Sequence, residues 1–373
     1  MKKLGLYIHI PFCARKCNYC DFYSLPYGQN LEKLYVEALC NHINQEKGLY
    51  LEYELDTIYV GGGTPSILSG ESVERISTTI KNSFNISEKV EFTVELNPCS
   101  VTKEKLLAYK RLGVNRLSIG MQSAHNSELK RLGRLHTREE MEKAYFLARE
   151  CGFDNISLDV MFALPGQTLK NLQETLNYAC SLIPEHISAY GLKIEENTPF
   201  GRNKDSLVLP SEDEEWEMYQ ALCDTMEANG YEQYEISNFS KKGFHSRHNI
   251  KYWMQEDYVG FGPSSHSCVN GVRYYYESDI FSYISENHTK IIEEDKENTI
   301  CDKMDEYVML RLRLCDGIDE TEFEGIFGKS FTLEYPRALD FVKTGHASYK
   351  NGKYKLTREG FFVSNFILAT ILH

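Results

Sequence analysis

The sequence has no apolar run approaching the roughly 18–20 residues that a membrane-spanning helix needs. Its start does not read as a secretory leader either. Behind Met1-Lys2-Lys3 the apolar stretch Leu4 to Ile10 is short, contains His9 and leads to no small-residue cleavage site. A cytoplasmic protein without a membrane span is expected. Basic residues are also in deficit: the formal net charge is −13, which argues against a phosphate-neutralising nucleic-acid binder. Internal repeats beyond a βα unit and low-complexity segments are absent. Cysteine is present but unpaired in number. Eleven thiols in a reducing compartment do not make a disulfide framework. Eight of them, Cys40, Cys99, Cys151, Cys180, Cys223, Cys268, Cys301 and Cys315, are scattered along the chain.

What is present is ordinary globular composition, with 42% hydrophobic and 25% charged residues over 373 positions. That length allows one large domain and a smaller one. Short β-rich runs alternate with amphipathic stretches through the first half. Strands are expected at 6–10, 57–60, 90–94, 116–119, 156–160 and 186–190. Helices are expected at 31–43, 102–112 and 138–151, with Gly113 and Gly152 as stops. Six such units predict an α/β fold with a parallel (β/α)6 partial barrel over 1–200. Ser211-Glu212-Asp213-Glu214 reads as a capping box opening a helix to about Asn229, within a connecting region 201–300. A helix over 303–314 and a tight hairpin centred on Asn351-Gly352 predict a C-terminal α+β, winged-helix-like domain over 301–373. In so acidic a chain that module reads as structural or partner-binding.

Three cysteines are clustered directly after the first strand, in Cys13-Ala14-Arg15-Lys16-Cys17-Asn18-Tyr19-Cys20. Three thiolates can hold three irons of a 4Fe-4S cubane and leave the fourth iron open to an amino and a carboxylate group. Two alternatives remain. A structural zinc ion would need a fourth ligand, with His9 nearest, and a redox dithiol would use only Cys17 and Cys20. Other features gather where the strands end, the side on which barrels bind ligands. Gly61-Gly62-Gly63-Thr64-Pro65 follows the second strand. It reads either as a plain turn or as a loop whose amides meet a carboxylate. Glu95 ends the third strand and Gln122 follows the fourth. Asp159 lies in an otherwise apolar fifth strand, where it needs a partner such as a ribose hydroxyl or Arg134. Each alone is more often a satisfied structural polar residue, and their shared placement at the strand ends favours a site.

Tyr7-Ile8-His9-Ile10-Pro11-Phe12-Cys13, the CxxxCxxC spacing, Gly61 to Pro65 and Gln122 resemble the radical S-adenosylmethionine superfamily. More narrowly they resemble the branch of oxygen-independent coproporphyrinogen III oxidase and its relatives, from Tyr7 to about the end of the chain. The resemblance implies that Cys13, Cys17 and Cys20 ligate the cluster. It implies S-adenosylmethionine binding by Tyr7, Gly62, Gly63, Thr64, Glu95, Gln122, Arg134 and Asp159. The oxidases of the branch carry a further cysteine where this chain has Phe22, and an extension ahead of the cluster strand. Conversely, His248-Asn249-Ile250-Lys251-Tyr252-Trp253 is similar to the HNxxYW motif of the haem chaperones of the branch. That likeness implies haem as bound cargo at His248, Tyr252 and Trp253, haem-acceptor proteins as partners, and a reduced electron carrier such as flavodoxin or ferredoxin. No catalytic residue is assigned. His266 and His245 are further candidates near a porphyrin, although all these residues also read as core aromatics and hydrogen-bonded histidines. Decarboxylation of coproporphyrinogen III and radical methylation are the competing activities.

Overall fold

The computed structural model describes residues 1–292 and 299–373. Six long strands alternate with helices as the periodicity predicts. They are β1 (Lys2–Ile10), β2 (Tyr53–Gly62), β3 (Asn85–Leu96), β4 (Arg116–Gln122), β5 (Ile156–Phe162) and β6 (His186–Gly191). The helices between them are α1 (Gln29–Glu46), α2 (Gly70–Ser83), α3 (Lys103–Leu112), α4 (Asn126–Leu132), α5 (Arg138–Glu150) and α6 (Leu169–Ser181). Local chemistry sets their ends. Thr102 caps α3, which stops at Gly113 in the left-handed region, and Thr137 and Glu140 close a capping box on α5. Each neighbouring pair from β1 to β6 is parallel, as βαβ crossovers require.

The described residues between 201 and 292 add strands to both edges of the sheet. The helix α7 (Glu212–Ala228) starts at the predicted Ser211–Glu214 capping box. After it, β7 (Glu232–Gln233) and β8 (Asn238–Ser240) extend the β6 edge antiparallel. The chain then crosses to the other edge through α8 (Arg247–Trp253). There β9 (Tyr258–Phe261) pairs parallel with β1, and β10 (His266–Val269), β11 (Val272–Tyr275) and β12 (Ile291–Ile292) follow antiparallel. One 12-stranded sheet results, in the order β12-β11-β10-β9-β1-β2-β3-β4-β5-β6-β8-β7. The later strands, two to four residues long, are too short to show a period.

The last region opens with α9 (Ile300–Arg311). It holds a three-stranded sheet of β13 (Ile318–Asp319), β14 (Ala347–Lys350) and β15 (Lys353–Leu356). The hairpin β14–β15 turns at Asn351 and Gly352, with φ of 53° and 73°, the paired positive values that a two-residue turn of this hand demands.

The alternation within the barrel strands positions the site. Ile58, Val60, Phe92, Val94, Leu117, Ile119, Ile156, Leu158 and Ile187 are buried, and Val60, Phe92 and Val94 share an apolar lining with residues of α2 and α3. The residues adjacent to them in the chain, which alternate onto the opposite face, are Thr57, Tyr59, Thr93, Glu95, Arg116, Ser118, Ser157, Asp159, His186 and Ser188. A (β/α)8 barrel usually fills this inner face with branched aliphatics. Here it is polar. Such a lumen gains little hydrophobic stabilisation, and its groups need partners from one another or from a ligand.

Candidate functional site: the mouth of the barrel

The cysteine loop is tied to the barrel rim by backbone. Asn18 N–H donates to Leu132 O at 2.9 Å, Phe200 N–H to Asn18 O at 2.9 Å, and Tyr27 N–H to Cys13 O at 3.0 Å. Cys13, Cys17 and Cys20 are all half-buried free thiols. Burial, with Cys17 and Cys13 close by, pushes the Cys20 thiol up to about 11. Burial therefore favours the protonated form of the Cys20 thiol, and a cation at the site would favour its thiolate. A single zinc ion would draw three sulfurs to about 3.8 Å apart and needs a fourth donor, whereas a cubane holds them on separate irons.

The fourth zinc ligand weighed above is also unavailable. His9 Nε2 lies 2.9 Å from Tyr23 O and Nδ1 lies 3.0 Å from Tyr7 Oη. Because a carbonyl only accepts, Nε2 carries the proton and Nδ1 accepts from Tyr7. Burial pushes this imidazole down to about 4, so it is neutral and fully bonded.

The glycine loop packs against the cysteine segment instead of pointing its amides at open space. Gly63 N–H donates to Ile10 O at 2.8 Å, Thr64 N–H to Phe12 O at 2.7 Å, and Gly62 N–H to Glu95 Oε2 at 3.1 Å. Backbone carbonyls of the cysteine segment thus take the Gly63 and Thr64 amides, and the Glu95 carboxylate takes that of Gly62. Gly62 has φ of 105°, and a Cβ on Gly63 would lie 2.6 Å from Phe12 O, so both positions need glycine for backbone reasons. What the loop offers the cluster side is the Thr64 hydroxyl, 3.4 Å from Cys13 Sγ.

Arg134 faces the cysteine loop. Its Nη1 is 3.7 Å from Cys17 Sγ, its Nη2 donates to Gly120 O at 3.0 Å, and its Nε has no partner. No carboxylate lies within ion-pair distance of it among the described residues. A Cβ on Gly120 would meet Arg134 Nη2 at 2.8 Å and Gln122 Nε2 at 3.0 Å, so the guanidinium and the amide converge above that glycine. Gln122 itself takes φ of 65° at a register shift between β4 and β5, a strained conformation for a non-glycine residue. A half-buried guanidinium facing thiols is costly unless an anion arrives. Thiolates of a cluster, or the carboxylate of its ligand, fit that need.

The carboxylates across the lumen carry the opposite imbalance. Tyr59 Oη donates to Glu95 Oε1 at 2.8 Å, and Ser118 Oγ donates to Asp159 Oδ1 at 2.9 Å. Burial raises Glu95 to about 7 and Asp159 to about 6. Each is only partly relieved by its hydroxyl partner and by Arg116, which is 2% exposed with an unpaired Nε. A ligand bringing an ammonium group to Glu95 would restore its ionised form. Arg116, Tyr59, Ser118 and Ser188 escaped sequence reading. The signal was the strict alternation of polar with apolar residues in every strand.

The structure brings Tyr7, Gly62, Gly63, Thr64, Glu95, Gln122, Arg134 and Asp159 to one mouth. It places the HNxxYW residues elsewhere, at the floor. His248 is 1% exposed, its Nδ1 2.8 Å from Thr57 Oγ1 and its Nε2 2.8 Å from Tyr252 Oη. Burial pushes it down to about 3, so it is neutral. Glu91 accepts from the backbone N–H of Arg247 and of His248, both at 3.0 Å, which seats the start of α8 on β3. Lys251 pairs with Asp56 at 3.0 Å and Glu256 at 2.7 Å. Tyr252 packs edge-on against Tyr258, and the half-buried Trp253 leaves its Nε1 without a hydrogen-bond partner. In this structure His248 is therefore a satisfied core histidine and not an open ligand. His266 is exposed and stacked on Tyr275, and His245 is stacked on Tyr234.

Comparisons with known proteins show the family. The model of the radical SAM superfamily matches residues 7–179 and that of the HemN C-terminal domain matches residues 301–363. A protein of Bacillus subtilis named heme chaperone HemW is 37% identical over 98% of this chain and 98% of its own length. One of the same name from Escherichia coli is 34% identical over 99% of this chain and 98% of its own. The crystal structure of coproporphyrinogen III oxidase (HemN) from Escherichia coli superposes with a TM-score of 0.86 over 100% of this chain and 90% of that one. At 20% identity it speaks for the fold alone. Radical SAM membership implies a 4Fe-4S cluster and S-adenosylmethionine, the two groups that the unpaired thiols, cation and carboxylates of the mouth call for. The chain belongs to the radical SAM superfamily and, within it, to the family of the proteins named heme chaperone HemW.

Proposed function

We propose that the protein binds haem and passes it to acceptor proteins, carrying a 4Fe-4S cluster on Cys13, Cys17 and Cys20 with S-adenosylmethionine beside it. The observation that carries this reading is the match, along essentially the whole chain, to relatives named heme chaperone HemW. When bound and reduced, the cluster supplies an electron for cleaving a sulfonium carbon–sulfur bond. The chain's own residues do the rest. Glu95 receives the ammonium group, Arg134 balances negative charge at the cluster edge, and Asp159 takes ribose hydroxyls. Gln122 and Tyr7 close the sides, and Gly62, Gly63 and Thr64 fix the loop. A reduced carrier such as flavodoxin or ferredoxin feeds the cluster, and the site of action is the cytoplasm. Among the described residues no helix is long and apolar enough to cross a membrane.

Haem enters this reading through the HNxxYW helix. His248 takes iron once Nε2 exchanges the Tyr252 hydroxyl for the metal, while Tyr252 and Trp253 supply apolar faces. If S-adenosylmethionine changes haem affinity, haem must change the affinity for S-adenosylmethionine by the same factor. The test is titration of haemin into anaerobically reconstituted protein with iron and sulfide measured. A Soret shift saturating near one equivalent supports the proposal. Its absence, together with protoporphyrinogen formed from coproporphyrinogen III, would replace haem transfer with decarboxylation. Phe22, 68% exposed where the oxidases of the branch carry a cysteine, favours the first outcome.

A further inference from the structure

Away from the barrel, the described residues hold one more gathering of metal-ligating side chains. One donor atom each from Cys301, Asp305 and His373 lies within 4.8 Å of the others. We infer that these three residues form a second metal site, for a zinc-class divalent cation, that staples the segment after the helix Ser364–Ile371 to α9. Cys301 and Asp305 are four residues apart on α9 and so share one face. His373 reaches them from beyond the last helix, Ser364–Ile371.

The geometry suits a tetrahedral ion. His373 Nδ1 lies 2.9 Å from Asp305 Oδ1, with a proton between them. Two ligands of one zinc ion, each bonded at about 2.0–2.1 Å, stand about 3.3 Å apart, so a cation can replace that proton with little movement. The carboxylate is already oriented by outer contacts. Tyr335, 1% exposed, donates to Asp305 Oδ1 at 2.7 Å, and the His373 backbone N–H donates to Oδ2 at 3.1 Å. A sulfur, nitrogen and oxygen donor set selects zinc over magnesium or calcium, whose ligands are oxygens. Three protein donors leave the fourth position to water. The competing reading is an ion pair in which Asp305 merely anchors His373. It gives Cys301 no part.

That difference makes the test. Holoprotein with its iron and sulfide content measured is dialysed against zinc buffered by a chromophoric chelator, beside Cys301→Ser, His373→Gln and Tyr335→Phe. The expected result is one zinc per wild-type chain with iron unchanged. Cys301→Ser and His373→Gln should retain zinc at least tenfold more weakly, and Tyr335→Phe about tenfold more weakly. Zinc should also raise the melting temperature of wild type and not of Cys301→Ser. Equal zinc in wild type and Cys301→Ser, no zinc in wild type, or zinc taken up only as iron is lost would each overturn the inference.

Discussion

The mouth and the floor of the barrel are built from the same residue types and treat them in opposite ways. At the floor, His248 has partners on both ring nitrogens, Lys251 sits between two carboxylates, and Glu91 caps a helix start. At the mouth, Arg134 has a carbonyl and a thiol, and Glu95 and Asp159 are pushed toward their neutral forms. A fold spends its polar groups on itself where they hold structure and leaves them underpaired where a ligand completes them. The contrast separates polar residues that hold the fold from those that a ligand would complete.

The sharpest way to break the contrast is to remove one group from each end. His248→Ala strands the Thr57 and Tyr252 hydroxyls in a buried cavity and should cost about 3 kcal/mol of stability, read by denaturant unfolding of the cluster-free protein. Arg134→Met removes a cation that lacks a counter-charge. The ligand-free protein should melt at the same temperature or higher, while S-adenosylmethionine binding to the reconstituted protein weakens about a hundredfold. If Arg134→Met destabilised the protein as much as His248→Ala, the mouth would be structural and the contrast lost.

A smaller effect comes from pH. Glu95 has its pKa raised in the fold, from an ordinary value of 4.5 to about 7. Between those values the folded state holds more protons than the unfolded chain. Stability of the ligand-free protein from this group therefore falls as pH rises through that window. A cationic ligand needs the ionised carboxylate, so its affinity should change the other way. Isothermal titration between pH 5.5 and 8.5 should show S-adenosylmethionine binding strengthen about tenfold per unit below pH 7 and then level. Glu95→Gln should flatten the curve. A flat curve in wild type would move the ammonium group elsewhere.

Much of this was legible in the residues because it is local. The six long strands, the capping box at Ser211–Glu214 and the Asn351-Gly352 turn each rest on neighbours within a few positions. The gathering of Glu95, Gln122 and Asp159 at one end follows from where each falls on its strand. What stayed hidden depends on distant partners. Thr57 meets His248 across 191 positions, and β9 joins β1 by pairing only four residues. The bland alternative for His248, a hydrogen-bonded core residue, describes its ring here, and no spacing could have named Thr57 as its partner. The polar lumen was the avoidable omission. Arg116-Leu117-Ser118-Ile119 and Ser157-Leu158-Asp159-Val160 alternate plainly, and the polar face of each was readable as a ligand-facing one.

The smallest effect sharpens the contrast most, because it asks whether the floor can turn into a site. Nε2 of His248 is engaged by the Tyr252 hydroxyl and Nδ1 by the Thr57 hydroxyl, so neither ring nitrogen is open to a metal. The ring is already in the neutral, ligating form. Iron must therefore displace one hydrogen bond, worth about 1 kcal/mol net. Tyr252→Phe removes that competitor and keeps the aromatic face. Haem should bind about fivefold tighter, since 1.4 kcal/mol is about tenfold. The Soret position should stay unchanged, because the ligand is the same. Tyr252→Phe binding haem as wild type does would exclude His248 as the ligand and leave the HNxxYW helix a plug of the barrel floor.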